Sequence, residues 1–481
     1  MEKIIFKGHY IQGKFQNEGF SKLKTRKSPS GFEDEIIDFP QKFSLPPLVC
    51  QQGKEAHLLW SQKSLKTRKE ILSPLKQIFE KKKSLLSEII SRETGKPLWE
   101  SEMEIQAVLR KIDITFKEGV TRIEQQELQN DEGSFVGRVR FKSRGLLLVI
   151  GPFNFPIHLP FSQILAALVA GNSVIFKPSE KTPASCQLFV ECLDCLDLPP
   201  GVFQMVQGTA KVSQKLAEDS LVDGILFTGS FEVGQKIKEA TVKDYWKLLA
   251  LEMGGYNTSL IWEDYSKEQA ILETLKSCFW TAGQRCSSTS QILVHKKVAQ
   301  DFIGDFIKEV QKLKVGHWKD NPFMGSLIDK TSVQKFFRFQ KEVEKKGVQI
   351  LTKGQELSDK GYYVSPGVYQ VDSSQAFSIG HQELFTPQVL IYEVNSLEEA
   401  LKMIHHSGYG LVLAAFTQNP EIRKELFYRA QVGLINYNKS SCGASSYLPF
   451  GGLGKSGNHR PAASWMIDSC VNPVAEQEGR V

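Results

Sequence analysis

Between residues 145 and 229 the sequence alternates short apolar segments with segments of helical pattern. The runs at 145–151, 173–176, 203–206 and 224–227 have the length and composition of buried strands. Regular alternation of this kind predicts a doubly wound α/β domain with a parallel sheet. Such domains bind ligands at the carboxyl ends of their strands. Polar and small residues predicted at those ends are Lys177, Glu180, Gly208, Gly229 and Ser230.

The rest of the chain is long enough for further domains, because 481 residues exceed what one compact core usually holds. Residues 1 to about 50 predict short strands, and residues 53–117 have a helical pattern. A turn at 131–133 before the alternating run 135–141 predicts a β-hairpin. From about 254 to 433 the pattern is again α/β, with strands predicted at 291–294 and 388–392.

Charge and composition exclude several classes of protein. The formal net charge of +6 is small for this length, so nucleic acid binding is not indicated. We found neither a secretory signal nor a run of about 20 apolar residues, and we therefore expect a cytoplasmic protein that does not span a membrane. Eight irregularly spaced cysteines fit reduced thiols. The lone pair Cys192 and Cys195 predicts helix packing, and we expect no metal site.

A candidate nucleophile stands at Cys286, between Arg285 and the small hydroxyl residues 287–290. A cationic neighbour and small flanking side chains are a typical setting for a reactive thiol. The alternative is that Cys286 is a small buried hydrophobe, as most free cysteines are.

Two further residues fit a reaction at a thiol. Glu252 lies between apolar residues and directly before Gly254, a setting that predicts a raised pKa and a role as a base. Asn154 offers an amide donor between two prolines, in the segment 151–156. The alternative for Glu252 is a structural carboxylate.

These motifs, in their order and spacing, resemble those of the aldehyde dehydrogenase superfamily, from about Arg92 to about Gly457. The resemblance implies an aldehyde dehydrogenase-like α/β fold: a doubly wound NAD-binding domain (1–125 and 146–253), an α/β catalytic domain (254–459) and a small β oligomerisation arm (126–145 and 460–481). A homodimer or homotetramer is implied as well.

The resemblance also implies NAD as the cofactor. The family binds it at a loop that matches residues 227–234, where Gly229, Ser230 and Gly234 lie. Lys177 and Glu180 would hold the adenosine ribose, and a carboxylate there disfavours the 2′-phosphate of NADP. Glu383 and Phe385 match the residues that bind the nicotinamide ribose and steady the ring. The residues of the 227–234 loop alone favour a tight turn, and only the resemblance reverses that preference. For 381–387, the alternative is a charged loop before a strand.

For the chemistry of that family, Cys286 would attack an aldehyde, the Asn154 amide would stabilise the oxyanion, and Glu252 would activate the water that hydrolyses a thioester. A non-catalytic protein on the same fold and a coenzyme A-acylating enzyme stay open, although the presence of all three residues speaks against both.

Within the superfamily, the resemblance narrows to enzymes that oxidise N-succinylglutamate semialdehyde in arginine degradation, on motifs such as 152–160 and 457–461. An acidic aldehyde of this kind implies a basic pocket, and the candidate contacts are Arg285, Lys439, His459 and Arg460. Each is equally well a structural ion-pair partner. The triplet 256–258 and the pair 287–288 depart from the pattern that we expect, which leaves the substrate open.

Overall fold

The computed structural model describes residues 2–17, 20–129, 135–372, 375, 377–379 and 381–479. Its helices are α1 (Val49–Ser61), α2 (Leu65–Leu72), α3 (Leu75–Thr94), α4 (Leu98–Ile114), α5 (His158–Val169), α6 (Pro183–Leu193), α7 (Ala210–Glu218), α8 (Phe231–Ala240), α9 (Lys267–Phe279), α10 (Ala299–Gln311), α11 (Lys330–Lys345), α12 (Leu397–His406) and α13 (Pro420–Arg429). Its strands are β1 (His9–Ile11), β2 (Lys14–Gln16), β3 (Ser21–Ser28), β4 (Gly31–Lys42), β5 (Gln126–Gln129), β6 (Phe135–Ser143), β7 (Leu146–Ile150), β8 (Ser173–Lys177), β9 (Phe203–Met205), β10 (Gly224–Gly229), β11 (Leu248–Met253), β12 (Asn257–Ile261), β13 (Thr289–His295), β14 (Gln349–Thr352), β15 (Gly367–Val371), β16 (Gln388–Val394), β17 (Tyr409–Gly410), β18 (Val412–Phe416), β19 (Leu434–Tyr437), β20 (Leu453–Gly454) and β21 (Val471–Gly479).

The first sheet contains the alternating segments and has the strand order β11-β10-β7-β8-β9-β1-β2. Strands β7 to β11 pair in parallel, and every residue of β7 and β8 is buried, as their continuous apolar sequences require. Because β8 lies on one side of β7 and β10 on the other, the strand order reverses at β7. A crevice therefore opens at the carboxyl ends of β7 and β10, where α/β sheets bind ligands.

The second sheet has the order β14-β15-β16-β13-β12-β18-β19, and only β14 is antiparallel to its neighbour. The strands predicted at 291–294 and 388–392 are its β13 and β16. Together the two parallel sheets confirm the predicted α/β fold class. The sequence patterns did not predict β12, β18 and β19, although all residues of β12 and β18 are buried.

A three-stranded antiparallel sheet joins β5, β6 and β21. The pairing of β5 with β6 confirms the predicted hairpin, whose turn at 131–133 lies outside the described residues. Residues 463–470, placed in the arm by the sequence, form a 3-10 helix that packs on α5. The domain boundaries and the oligomerisation role of this sheet stay predictions.

The two large sheets are joined at residues 254–256, directly after β11. The edge of β11 is completed from the far end of the chain: Met253 N donates to Ser456 O (3.0 Å), and Asn458 N donates to Leu251 O (3.0 Å). The glycine-rich segment 451–457 is therefore a turn that supports the strand of Glu252, as its sequence indicates.

All eight cysteines are free, and Cys192 is buried within α6, in agreement with a packing role. Over the described ranges of the chain, no helix is both long and apolar enough to span a membrane. Among those same residues, no group of three or more histidines, cysteines or carboxylates is arranged to hold a metal ion.

Candidate active site

A cavity of about 240 Å³ opens where the two sheets meet, at the carboxyl ends of β10 and β11. It brings together segments far apart in the sequence. Its walls are Pro152, Phe153, Asn154, Leu159, Thr228, Gly229, Ser230, Glu252, Gly254, Cys286, Lys335, Glu383 and Phe385. The predicted nucleophile, base and amide donor therefore line a single cavity, together with several of the predicted cofactor residues.

Cys286 follows a strained turn at the end of α9. Thr281 (φ 55°) and Ala282 (φ 53°) are left-handed, a conformation that costs about 1–3 kcal/mol for each non-glycine residue. Gly283 follows with φ 70°, and a Cβ there would come within 2.3 Å of Thr386 O, so that a side chain would not fit. The surrounding structure must hold this turn in place.

Glu100 of α4 supplies that support. Its carboxylate accepts from Thr281 N (2.8 Å) and from the Thr281 hydroxyl, and it pairs with Arg285 Nη2 (3.0 Å). Arg285 Nε in turn donates to Thr281 Oγ1 (2.8 Å). All of these groups are buried, so the carboxylate fixes the turn from inside the protein.

Asn257, at the start of β12, fixes the other side of the nucleophile. Its Nδ2 donates to Cys286 O (2.7 Å) and Ser288 O (2.9 Å), and its Oδ1 accepts from Val412 N (3.0 Å). The peptide of Cys286 is thus tied to the second sheet. Sequence reasoning missed both Glu100 and Asn257.

The base candidate, Glu252, is 3% exposed at the end of β11. Burial, followed by repulsion from Glu383, raises its pKa to about 8, although the neighbouring Cys286 thiol opposes the increase. Its Oε1 has no hydrogen-bond partner among the described residues. Part of this carboxyl is therefore available to a ligand or a water molecule.

The Cys286 thiol is the protonated form at rest. Its pKa lies well above the ordinary value, because burial and the carboxyls of Glu252 and Glu383 disfavour a thiolate. The nearby charge of Arg285 lowers this pKa but does not outweigh them. The thiol therefore needs a proton acceptor, and Glu252 is a carboxyl in the same cavity wall.

Asn154 lies in the loop after β7 and is held on both sides. Its Nδ2 donates to Gln284 O (2.9 Å), which leaves the second N–H of the amide for the cavity. The backbone carbonyl of Asn154 accepts from Lys96 Nζ (3.0 Å), and Lys96 forms a buried ion pair with Glu104 of α4 (2.5 Å). Glu104 also accepts from the backbone N–H groups of residues 157 and 158.

The loop at 227–234 has the predicted strand-turn-helix form. Ser230 caps α8 by accepting from Val233 N (3.4 Å). A Cβ on Gly229 would come within 2.4 Å of the Phe227 ring, and one on Gly234 within 2.3 Å of Met253 Sδ. The two glycines therefore allow the helix to begin close to the sheet, with its N-terminus facing the crevice.

The other predicted cofactor residues lie along the same crevice. Lys177 is buried, with Nζ donating to Pro178 O (2.7 Å), and its pKa is lowered by burial. Glu180 is a weaker partner (3.4 Å) and keeps 45% of its side chain exposed. Gly208 (φ 158°) is packed against Val212.

Glu383 and Phe385 come from the loop before β16. Glu383 Oε1 accepts from Gly255 N (3.2 Å), and burial raises its pKa to about 7, against the opposing charge of Lys335. Phe385 (φ 53°) meets the Phe153 ring edge to face across the cavity, with centroids 5.8 Å apart. The loop is thus fixed within the cavity wall.

None of the four predicted basic contacts to substrate forms part of this wall. Arg285 is paired with Glu100, as described above. Arg460 Nη1 donates to Gly452 O (3.0 Å), and exposed Lys439 donates to Gly443 O (3.2 Å). His459 is left-handed (φ 60°), and burial lowers its pKa. The ion pair with Glu100 favours the structural alternative for Arg285. Lys439, His459 and Arg460 are not among the residues that line the cavity.

Comparison with known proteins agrees with this geometry. The sequence profile described as the Aldehyde dehydrogenase family matches residues 48–474. The chain is 35% identical over 433 residues to the N-succinylglutamate 5-semialdehyde dehydrogenase of Escherichia coli O157:H7, covering 89% of this chain and 87% of that protein. It is 34% identical over an alignment of 490 residues to the protein of the same name from Legionella pneumophila (strain Corby), covering 99% and 96%.

Solved structures share the fold. A lactaldehyde dehydrogenase superposes with a TM-score of 0.93 at 23% identity, covering 99% of this chain and 100% of that one. An oxidoreductase from Marinobacter aquaeolei superposes with a TM-score of 0.91 at 27% identity, covering 98% of each chain. With the family profile spanning nearly the whole sequence, the chain belongs to the aldehyde dehydrogenase family.

Proposed function

We propose that this protein oxidises an acidic semialdehyde, N-succinylglutamate 5-semialdehyde, to the carboxylic acid with NAD. The observation that carries the proposal is the convergence of Cys286, Glu252 and Asn154 on one cavity, where burial raises the pKa of the Glu252 carboxyl to about 8. A thiol, a base and an amide donor are the groups that aldehyde oxidation through a thioester needs.

Glu252 takes the proton of the Cys286 thiol, and the thiolate attacks the aldehyde carbon to form a thiohemiacetal. The oxyanion of this adduct is stabilised by the Asn154 amide and by the backbone N–H of Cys286. Because Gln284 holds that amide and Asn257 holds the Cys286 peptide, both donors are oriented before the substrate arrives.

NAD held in the crevice would supply the hydride acceptor that converts the thiohemiacetal on Cys286 to a thioester. Glu252 first releases the thiol's proton to solvent and then removes a proton from the water that attacks the thioester carbonyl. The acid leaves as the C–S bond breaks, and Glu252 returns its proton to the departing thiolate, which restores the thiol. The unpartnered Oε1 of Glu252 suits this second task. A carboxyl with pKa near 8 is a stronger base than an exposed glutamate, and it becomes substantially ionised at mildly alkaline pH.

The residues along the crevice fit NAD. The N-terminus of α8 and Gly229 suit a pyrophosphate. Glu180 presents a half-exposed carboxylate beside the ammonium of Lys177, a pair that suits two ribose hydroxyls and repels a 2′-phosphate. Glu383 offers a second buried carboxyl at the other end of the cavity.

The choice of substrate rests on the two relatives named above, which match nearly the whole chain. A test measures NADH formation at 340 nm with N-succinylglutamate semialdehyde, glutarate semialdehyde and propanal. We expect kcat/KM to be highest for the first by at least about tenfold, the value of one hydrogen bond to a charged group. Equal values for all three aldehydes would refute the substrate assignment, and no turnover of any would refute the activity.

A further inference from the structure

Lys111 of α4 is a buried lysine without a partner. It is 1% exposed, and its Nζ makes no hydrogen bond to any residue that the structure describes. Burial is the only effect acting on its pKa, which it lowers to about 7. An unpaired buried amine lowers the free energy of unfolding, so packing alone does not explain a lysine at this position.

Lys111 lies on the same face of α4 as two residues that support the active site. Glu100, Glu104 and Lys111 are spaced by four and seven residues, which places them within about 40° of one another around the helix. Glu100 contacts the nucleophile turn, and Glu104 contacts the loop that carries Asn154. Lys111 continues this active-site face of α4, about 10 Å beyond Glu104 along the axis.

His158 is the first residue of α5, the helix that packs against α4, and its backbone N–H donates to Glu104. Burial and then the positive charge of Lys111 lower the pKa of His158 to about 3, so the two side chains are near each other and the imidazole is neutral. The neighbouring Leu159 lines the catalytic cavity. A neutral imidazole still has one N–H to donate.

Two hydrogen-bond donors, one of them cationic, thus lie beside the segment that contributes Leu159 to the cavity wall, although neither is part of the wall itself, and no carboxylate among the described residues pairs with Lys111. This arrangement suits an anion supplied from outside. In an extended N-succinylglutamate semialdehyde, the succinyl carboxylate lies about 10 Å from the aldehyde carbon, roughly the length of three residues. That span matches the offset of Lys111 from the part of α4 that supports the catalytic residues.

We propose that Lys111 and His158 form the subsite that binds a carboxylate of the acidic aldehyde. This inference rests on the proposed function and replaces Arg285 as the principal cation of the substrate pocket. The ammonium supplies charge and the imidazole a directed hydrogen bond. The aldehyde end then reaches Cys286 past Leu159.

The test compares Lys111→Met with Arg110→Met. Methionine keeps the length of the lysine side chain and leaves no buried partner unpaired, and the exposed neighbour Arg110 controls for the loss of one positive charge. With N-succinylglutamate semialdehyde we expect Lys111→Met to raise KM about 10- to 100-fold with kcat nearly unchanged, because a charge-assisted contact far from the reacting carbon is lost. KM for propanal, and both constants of Arg110→Met, should stay within about twofold.

A second measurement avoids turnover altogether. Calorimetric titration of the cofactor-free protein with N-succinylglutamate should show the same weakening, about 10- to 100-fold, for Lys111→Met. His158→Leu should weaken binding less, by about threefold to tenfold, since a neutral hydrogen bond is lost.

The outcomes separate the two proposals. If the wild-type protein prefers the acidic aldehyde and Lys111→Met keeps that preference and the same affinity for N-succinylglutamate, the subsite is refuted and the function stands. Equal losses on propanal would assign Lys111 a structural role. If the wild-type protein neither binds N-succinylglutamate nor prefers the acidic aldehyde, the proposed substrate and the subsite both fail.

Discussion

The two halves of α4 differ in whether their buried charged side chains are paired. In the amino-terminal half, Glu100 and Glu104 are buried, yet they are satisfied by Arg285, Lys96 and backbone N–H groups. In the carboxyl-terminal half, Lys111 is buried equally deeply and has no partner among the described residues. A buried charge that is paired holds the residues around it in position, whereas a buried charge without a partner can bind an ion of opposite sign.

The largest expected effect is on the reaction itself and leaves ligand binding unchanged. Cys286→Ala should abolish NADH production, because no adduct forms without the thiol. Binding of N-succinylglutamate, which we assign to the Lys111 end, should be unchanged within about twofold by calorimetry, since no charged contact is removed. Cys442→Ala, at another buried thiol, is the matched control and should keep its turnover. Residual activity in Cys286→Ala would refute the nucleophile assignment.

Glu252→Gln should lower kcat by about 10²- to 10⁴-fold, the usual contribution of a general base. Intact-mass spectrometry under turnover should then detect an acyl adduct on Cys286, because the half-buried thiol can still lose its proton to solvent whereas the hydrolytic step lacks its base.

The pH dependence sharpens this prediction. With a pKa of about 8, Glu252 is increasingly ionised as the pH rises from 6 to 9, so the wild-type kcat should rise over that interval and then level off. The residual rate of Glu252→Gln should lack that rise. A variant that turns over without any adduct and keeps the wild-type profile would exclude Glu252 as the base.

The smallest effects compare the two buried lysines directly. Lys96→Met leaves Glu104 unpaired and should lower the free energy of unfolding by about 3–5 kcal/mol. Lys111→Met removes an unpaired amine and should leave stability unchanged or increase it. Urea denaturation at pH 7 measures both. Equal destabilisation by the two substitutions would show that Lys111 has a partner in solution and would remove the contrast.

The pH dependence of stability has a definite sign at Lys111. Its pKa is about 7 in the folded protein and near 10.4 when unfolded, so the unfolded chain binds more protons between these values. Lys111 therefore costs stability below pH 7 and progressively less as the pH rises to 10. The stability difference between Lys111→Met and the wild type should shrink over that interval.

The sequence predicted the groups that we propose to react but not those that hold them. Cys286, Glu252 and Asn154 were found because each has a local signal: small neighbours, flanking apolar residues, or enclosing prolines. Glu100, Glu104 and Lys111 have no such signal, since charged residues at helical spacing normally face water. Their burial is decided by α5 and the nucleophile turn, which are distant in sequence.

The substrate cations illustrate the same limit. Arg285 was a reasonable candidate because it adjoins Cys286, but neighbouring residues in a chain point in different directions, and its side chain turns to Glu100. The strand β12 was missed for a related reason. Its short sequence begins with polar residues, such as Asn257, that are satisfied only within the folded site.

The strand that carries Glu252 has a consequence for biosynthesis. Leu251 N donates to the side chain of Asn458, 207 residues later, and the edge of β11 is completed by that same late segment. At about 5–20 residues per second, a ribosome needs about 10–40 s to make the intervening chain. A nascent polypeptide therefore exposes its reactive cysteine well before the base is anchored. The order of synthesis delays assembly of the complete active site until almost the whole enzyme has been translated.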